Sequence, residues 1–261
     1  MDFLIECIGF GPTSRPQDLT RLLEESGEPT PWRGKSENQR RLRLGHGLEL
    51  RGERHENGTW TLLPYYRVDT RLRVTAQELA PSVDSRFEAL LHGWAAPPIP
   101  GLSADEYGTY MLSVWLSDAA RLPNPLPPGH TLALHVAGFA VDIENLGPNQ
   151  EVAQPDILER PNGALIEPLG GHENPGGCAQ LSLRIKEVRN LRNQISGETV
   201  QVCLCDAPER PLALLLSPWQ LKEEGFPSPR PGYRIQGTFL FLGEIGGGIL
   251  GPKRVAGRAF G

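Results

Sequence analysis

The stretch Cys178-Ala-Gln-Leu-Ser-Leu-Arg-Ile-Lys-Glu-Val-Arg-Asn190 decides how the chain is read, because it opens a run of strand-like segments that reaches Ile245. Leu181, Leu183 and Ile185 sit two apart, with Ser182, Arg184 and Lys186 between and after them. That is the period of a strand with one buried face and one wet face. The alternation slips by one at Val188, the mark of a bulge that bends a strand. A turn-rich loop ending in Gly197 follows, then a second strand, Thr199-Val-Gln-Val-Cys-Leu-Cys205. Pro211-Leu-Ala-Leu-Leu-Leu-Ser217 is a short continuous apolar run, the pattern of a strand buried on both faces. Ser217 as N-cap, Pro218 at the first helical position and Gly225 as the stop predict a short helix. Gly232 to Ile245 closes the run as one long strand, or as two broken at Gly237. A long curved strand, two more strands, a short helix and a closing strand suit a small, partly open barrel of the OB type.

Outward from this run, residues 31–73 carry ten Lys or Arg against five acids. Arg41-Leu-Arg-Leu-Gly-His-Gly-Leu-Glu-Leu-Arg51 alternates charge with leucine and predicts a strand with one basic and one apolar face. Asn57-Gly58 is a hairpin turn signal, and Thr59 to Asp69 returns as a second strand, with Arg71-Leu-Arg-Val-Thr75 extending it. Phe3 to Phe10 is expected to be a buried strand ending at Gly9. Leu19, Leu22 and Leu23 have helical spacing, with a start at Ser14 or at Arg15 before Pro16 and a stop at Gly27. Phe87 to Trp94 is expected to be a short helix, and Tyr107 to Ser117 and Thr131 to Ile143 to be strands. The expected fold is therefore α+β: a mixed N-terminal α/β-type domain with antiparallel strands (residues 1–150), a Pro/Gly-rich linker (151–177), an OB-like β-barrel domain (178–245) and a flexible basic tail (246–261).

Composition bounds the function. The 261 residues suffice for one large or two ordinary domains. Glycine (30) and proline (25) together exceed a fifth of the chain with no fixed period, which favours turns and strands over a helical bundle. The net charge of −5 gives no whole-molecule attraction to nucleic acid or anionic lipid. Four cysteines without framework spacing point to reduced thiols, and the acidic N-terminus lacks the basic start of a signal peptide. No apolar run reaches membrane-spanning length. A cytoplasmic location without membrane contact is expected.

Several segments, taken in order, resemble an uncharacterised bacterial protein family. They are Ile8-Gly9-Phe10, Pro64-Tyr65-Tyr66, Ser113-Val-Trp-Leu-Ser-Asp-Ala-Ala120, Asn193-Gln-Ile-Ser-Gly-Glu198 and Gly237-Thr-Phe-Leu-Phe-Leu-Gly-Glu-Ile245. The likeness implies an Ile-Gly-Phe N-terminal strand and an OB-like C-terminal half. It implies no activity, because the family has none assigned.

Chemical motifs are sparse. Cys203 and Cys205 point to one face of a strand, and Cys178 or His172 would be needed to complete a zinc site, but structural zinc pairs favour two-residue spacers in turns. The cysteines are expected to be core, with no metal and no cofactor. The histidines fall in no catalytic signature, and no phosphate-binding or nucleophile-elbow glycine pattern is present. No catalytic residue is assigned. The leading expectation is a non-catalytic binding or assembly module that contacts another protein, with an enzyme of unrecognised type as a further alternative. Between these stands nucleic-acid binding through the arginine-rich hairpin: Arg41, Arg43, Arg51, Arg67, Arg71 and Arg73 to meet phosphates, with Trp60, Tyr65 and Tyr66 to stack on bases. Glu37, Glu49, Glu53 and Glu56 offset that charge.

Overall fold

The computed structural model describes residues 3–30, 38–83, 85, 88–97 and 108–249. The chain is β-rich, with few and short helices, and its strands form two sheets.

The first sheet is an antiparallel meander of β1 (Glu28–Pro29), β2 (Gln39–Gly45), β3 (Leu48–Arg54) and β4 (Trp60–Tyr66). The expected single strand from Arg41 to Arg51 is in fact two. Gly45, His46 and Gly47 all take positive φ, so the chain reverses there rather than running on. Asn57 and Gly58 make the next turn as expected, with the Asn57 carboxamide oxygen accepting from the Thr59 N–H at 2.9 Å. Cross-strand partners share a face, so register sorts the side chains. Leu42, Leu50 and Pro64 line up on one face, and Arg41, Arg51 and Leu63 on the other. The apolar face receives α2 (Pro16–Ser26), whose Leu23 lies so close to Gly52 that a β-carbon there would sit 2.3 Å from the Leu23 Cδ2. The α2 boundaries follow the sequence: Arg15 precedes it, Pro16 opens it and the Gly27 N–H bonds back to Leu23.

The N-terminal expectation fails. Phe3 to Phe10 is not a strand but the helical turn α1 (Phe3–Glu6) followed by a tight reversal to Gly9, at φ 90°. Leu4, Ile5, Cys7, Ile8 and Phe10 are all buried. A run that is apolar on every side carries no period with which to tell helix from strand.

The second sheet is mixed and has nine strands. In chain order they are β5 (Leu72–Pro81), β6 (Ala89–Ala95), β7 (Tyr110–Leu116), β8 (Thr131–Pro148), β9 (Leu165–Pro168), β10 (Cys178–Arg192), β11 (Thr199–Cys205), β12 (Leu212–Leu216) and β13 (Tyr233–Gly247). The helix expected around residues 87–94 is strand β6, bonded to β5 on one edge and β7 on the other. Phe87 itself lies outside the described residues. The remaining helices are short: α3 (Asn149–Val152), α4 (Pro155–Leu158) and α5 (Pro218–Glu223), the last capped as expected by the Ser217 hydroxyl, which accepts from the Gln220 N–H. The expected linker thus carries α4 and β9, and the basic residues of the expected tail, Lys253, Arg254 and Arg258, lie outside the described residues.

The centre of this sheet is the antiparallel pair β8–β13, whose register runs from Tyr233↔Pro148 to Gly247↔Ala133. The free edge of β8 bonds β5 at Thr131 to Leu134 and then β12 at Ala137 to Phe139. The free edge of β13 bonds β10 at Arg234 to Leu240 and then β7 at Leu242 and Gly243. Two closed cycles of pairing result. One runs β8-β5-β6-β7-β13, the other β8-β12-β11-β10-β13, and both use the same central pair. The expected bulge in β10 falls between Ile185 and Glu187, and β12 is buried at every position. The two halves of the chain are therefore joined strand to strand.

Candidate functional site

The inner face of the meander turns partly away from solvent, although Arg43 at one end stays exposed. Arg51, on β3, points across to the second sheet and is buried. Its guanidinium donates to Glu49 at 2.9 Å, to the Ser117 hydroxyl at 2.8 Å and to Glu244 of β13 at 3.1 Å, and its Cζ sits 3.3 Å from the centre of the Tyr65 ring. Burial works against the arginine charge, but Tyr65, Glu49 and Glu244 around it hold its pKa above the ordinary value. Burial also pushes the Tyr65 phenol well up. This cluster clamps one sheet to the other.

The structure distributes the nine expected binding residues over different surroundings. Arg41 and Arg43 both approach Glu28, at 3.6 and 3.2 Å, and Arg41 also approaches Glu49. Arg73 pairs with Glu209 at 2.7 Å, far from the meander's face. Trp60 donates its indole N–H to Glu24, and Tyr66 is buried with its pKa raised by burial. Arg67 and Arg71 are exposed. Arg51 and Tyr65 are the pair brought into direct contact. Cys203 and Cys205 are fully buried, and burial pushes the Cys203 thiol up to about 12. His172 instead pairs with Trp94, ring centres 5.4 Å apart. Among the described residues, no group of three or more His, Cys, Asp or Glu is placed to hold a metal ion.

Beside the Arg51 clamp the two sheets part and leave a cleft of about 420 Å³. One wall is the outer face of the large sheet. Leu240 lies opposite Cys178, and Leu242 opposite Trp115, so these four make one apolar stripe across β10, β13 and β7. Gly177 permits the close approach of Trp115, whose Nε1 would lie 2.9 Å from a β-carbon there. The other wall is the inner face of the meander, with Leu63, Thr61 and Glu53. Leu4 of α1, His55, Val141, Ser82, Ser85 and Glu88 also line it.

Polar groups gather at one end. Glu53 and Thr61 are cross-strand partners, and Glu53 accepts a short hydrogen bond from the Ser85 hydroxyl. The same hydroxyl accepts from the Glu88 N–H at 3.1 Å. Burial, and next the charge of Glu53, raise Glu88 from the ordinary carboxylate range to about 7. His55 shares a 2.7 Å hydrogen bond with the Thr61 hydroxyl. No known protein family, curated protein or solved structure matches the chain. The site is therefore defined by its own geometry: apolar walls, two carboxyl side chains, Glu53 and Glu88, and hydroxyls beside them. Val83, next to the lining residue Ser82, is wholly exposed.

Sequence reasoning did not single out Glu53 or Glu88 as a pair. Glu53 counted only as an offset to the arginines. The two are 35 positions apart, with no shared spacing to read, and only the fold sets them side by side.

Proposed function

We propose that the protein is a non-catalytic binding or assembly module, and that the cleft between the sheets is where a partner protein is held. One observation carries this reading. A cleft of about 420 Å³ carries an apolar stripe of Trp115, Leu240 and Leu242, and the exposed Val83 follows its lining residue Ser82 in the chain. Concave, mostly apolar lining with a few placed polar groups is what a binding site requires. The five-strand pairing cycle of β10, β11, β12, β8 and β13, with α5 between β12 and β13, supports an OB-like reading of the C-terminal half, which then acts as scaffold for one wall. A reducing, cytoplasmic setting suits the four unpaired cysteines. Among the described residues, no helix is long and apolar enough to cross a membrane. The nucleic-acid reading has less support, because Arg41, Arg43, Arg51 and Arg73 are engaged by carboxylates of the same chain.

The test places a photo-crosslinking amino acid at Val83, and for comparison at the exposed Ile195, in the native host. A discrete adduct is expected from Val83, and it is expected to vanish when Leu63→Trp fills the cleft while thermal melting shows that variant to be folded. An adduct that persists in the filled variant, or no adduct at Val83, overturns the proposal.

A further inference from the structure

We infer that the cleft selects a positively charged group on an apolar stem: a lysine or arginine side chain, flanked by apolar residues, presented by the partner protein. The inference rests on the proposed function and names the chemistry of its occupant.

The argument is charge complementarity inside an apolar space. The described lining of the cleft includes two carboxylates, Glu53 and Glu88, and neither lysine nor arginine. Two cations do border the narrow recess that continues from it, but both are spent. Arg51 is held by Glu49 and Glu244, and Arg40 donates to the backbone carbonyls of Glu24 and Gly27. Glu53 and Glu88 both line the cleft, and repulsion from the Glu53 charge adds to partial burial in holding the proton on Glu88. A cation seated between them removes that repulsion and allows both to ionise. The Trp115, Leu63 and Leu242 surfaces then receive the methylene stem, in the way long basic side chains lie along apolar surface with the head at a polar end. A neutral or anionic occupant gains the apolar contact but leaves the carboxyl pair unanswered.

The pH dependence follows in direction. Among the described residues that line the cleft and its recess with Glu88, the other titratable or charged groups are Glu53, His55, Arg40, Arg51 and Tyr65 from the meander side and the Cys178 thiol of the facing wall, which burial holds above its ordinary value. Between pH 5.5 and 8 Glu88 loses its proton, so a cation binds more tightly as pH rises through about 7, and its binding expels that proton.

Two capped tripeptides serve as probes, acetyl-Leu-Lys-Leu-amide and its uncharged counterpart with norleucine in place of lysine. The Trp115 indole N–H, assigned through Trp115→Phe, is followed by two-dimensional NMR on the full chain. The lysine peptide is expected to shift that signal and to bind at least about fivefold more tightly at pH 8 than at pH 5.5, the range of a coupling between linked sites. Glu88→Gln is expected to flatten the profile, and the norleucine peptide to bind more weakly at pH 8 by a similar factor. Equal binding of the two peptides, or a lysine-peptide profile unchanged in Glu88→Gln, overturns the charge selection while the cleft stands as a docking site. No shift of Trp115 with either peptide overturns the inference, and the Val83 crosslink then decides separately whether the cleft binds a protein at all.

Discussion

At the scale of single residues, Glu88 connects stability to the site. Its folded pKa, about 7, lies above the ordinary glutamate value of 4.5. The folded state therefore keeps a proton that the unfolded chain gives up, and stability falls as pH rises from about 4.5 through 7. Above pH 7 the ionised, buried carboxyl costs the fold up to about 3 kcal/mol. Glu88→Gln is neutral at every pH. It is expected to stabilise the protein by up to that amount at pH 8.5 and by almost nothing at pH 4.5, measured by urea unfolding at both. An equal effect at the two pH values contradicts the raised pKa of Glu88. Other residues were legible beforehand because their role is local. Asn193 closes the turn that its Asn-x-x-Ser-Gly-Glu context signals, accepting from the N–H groups of Ile195 and Ser196 and donating to the Ile8 carbonyl. Nothing local marks Glu53 and Glu88, whose meeting depends on how the meander lies over the large sheet.

At the scale of elements, alternation made the strands after residue 177 readable, since each has neighbours that bury one face or both. It misled where local pattern competes with pairing on two edges. Ala89 to Ala95 has the look of a short helix, yet it is bonded between β5 and β7, and tertiary pairing overrides short-range preference. The alternating Arg/Leu stretch was read correctly as having two faces. Its basic face was expected to be wet, but register places acids on it and the fold turns it inward. The Arg51 clamp is the consequence at this scale. Arg51→Met leaves the buried Glu49 and the half-buried Glu244 without their shared cation, and a broken buried pair costs about 3–5 kcal/mol. Hydrogen exchange is expected to show β2 to β4 losing protection in this variant before the large sheet does. Adding Glu49→Leu and Glu244→Leu is expected to recover most of the loss, because no charge is then left stranded. A triple variant as unstable as the single one counts against the clamp.

At the scale of the molecule, β8 and β13 have no counterpart in a chain of independent domains. Each pairing cycle needs a segment from both strands: β8 comes from the first half of the chain and β13 from the second. The sequence shows strand character in both, as one long strand or two shorter ones, but not that they pair, because register between distant segments leaves no mark in either one alone. The apolar residues facing the two cycles, among them Leu134, Phe139, Phe239 and Phe241, are all buried in one continuous core. Cutting between residues 150 and 151 would leave β13 without β8 along one whole edge and β12 without its parallel partner. Residues 151–261 produced alone are therefore expected to lack a cooperative thermal transition and dispersed amide signals. Produced together with 1–150, they are expected to regain both, and the intact chain to unfold in one transition by circular dichroism and by tryptophan fluorescence. If 151–261 melts cooperatively by itself, β13 does not depend on β8 for its edge, and the cleft is a junction between two separable units instead of a fixed feature of one fold.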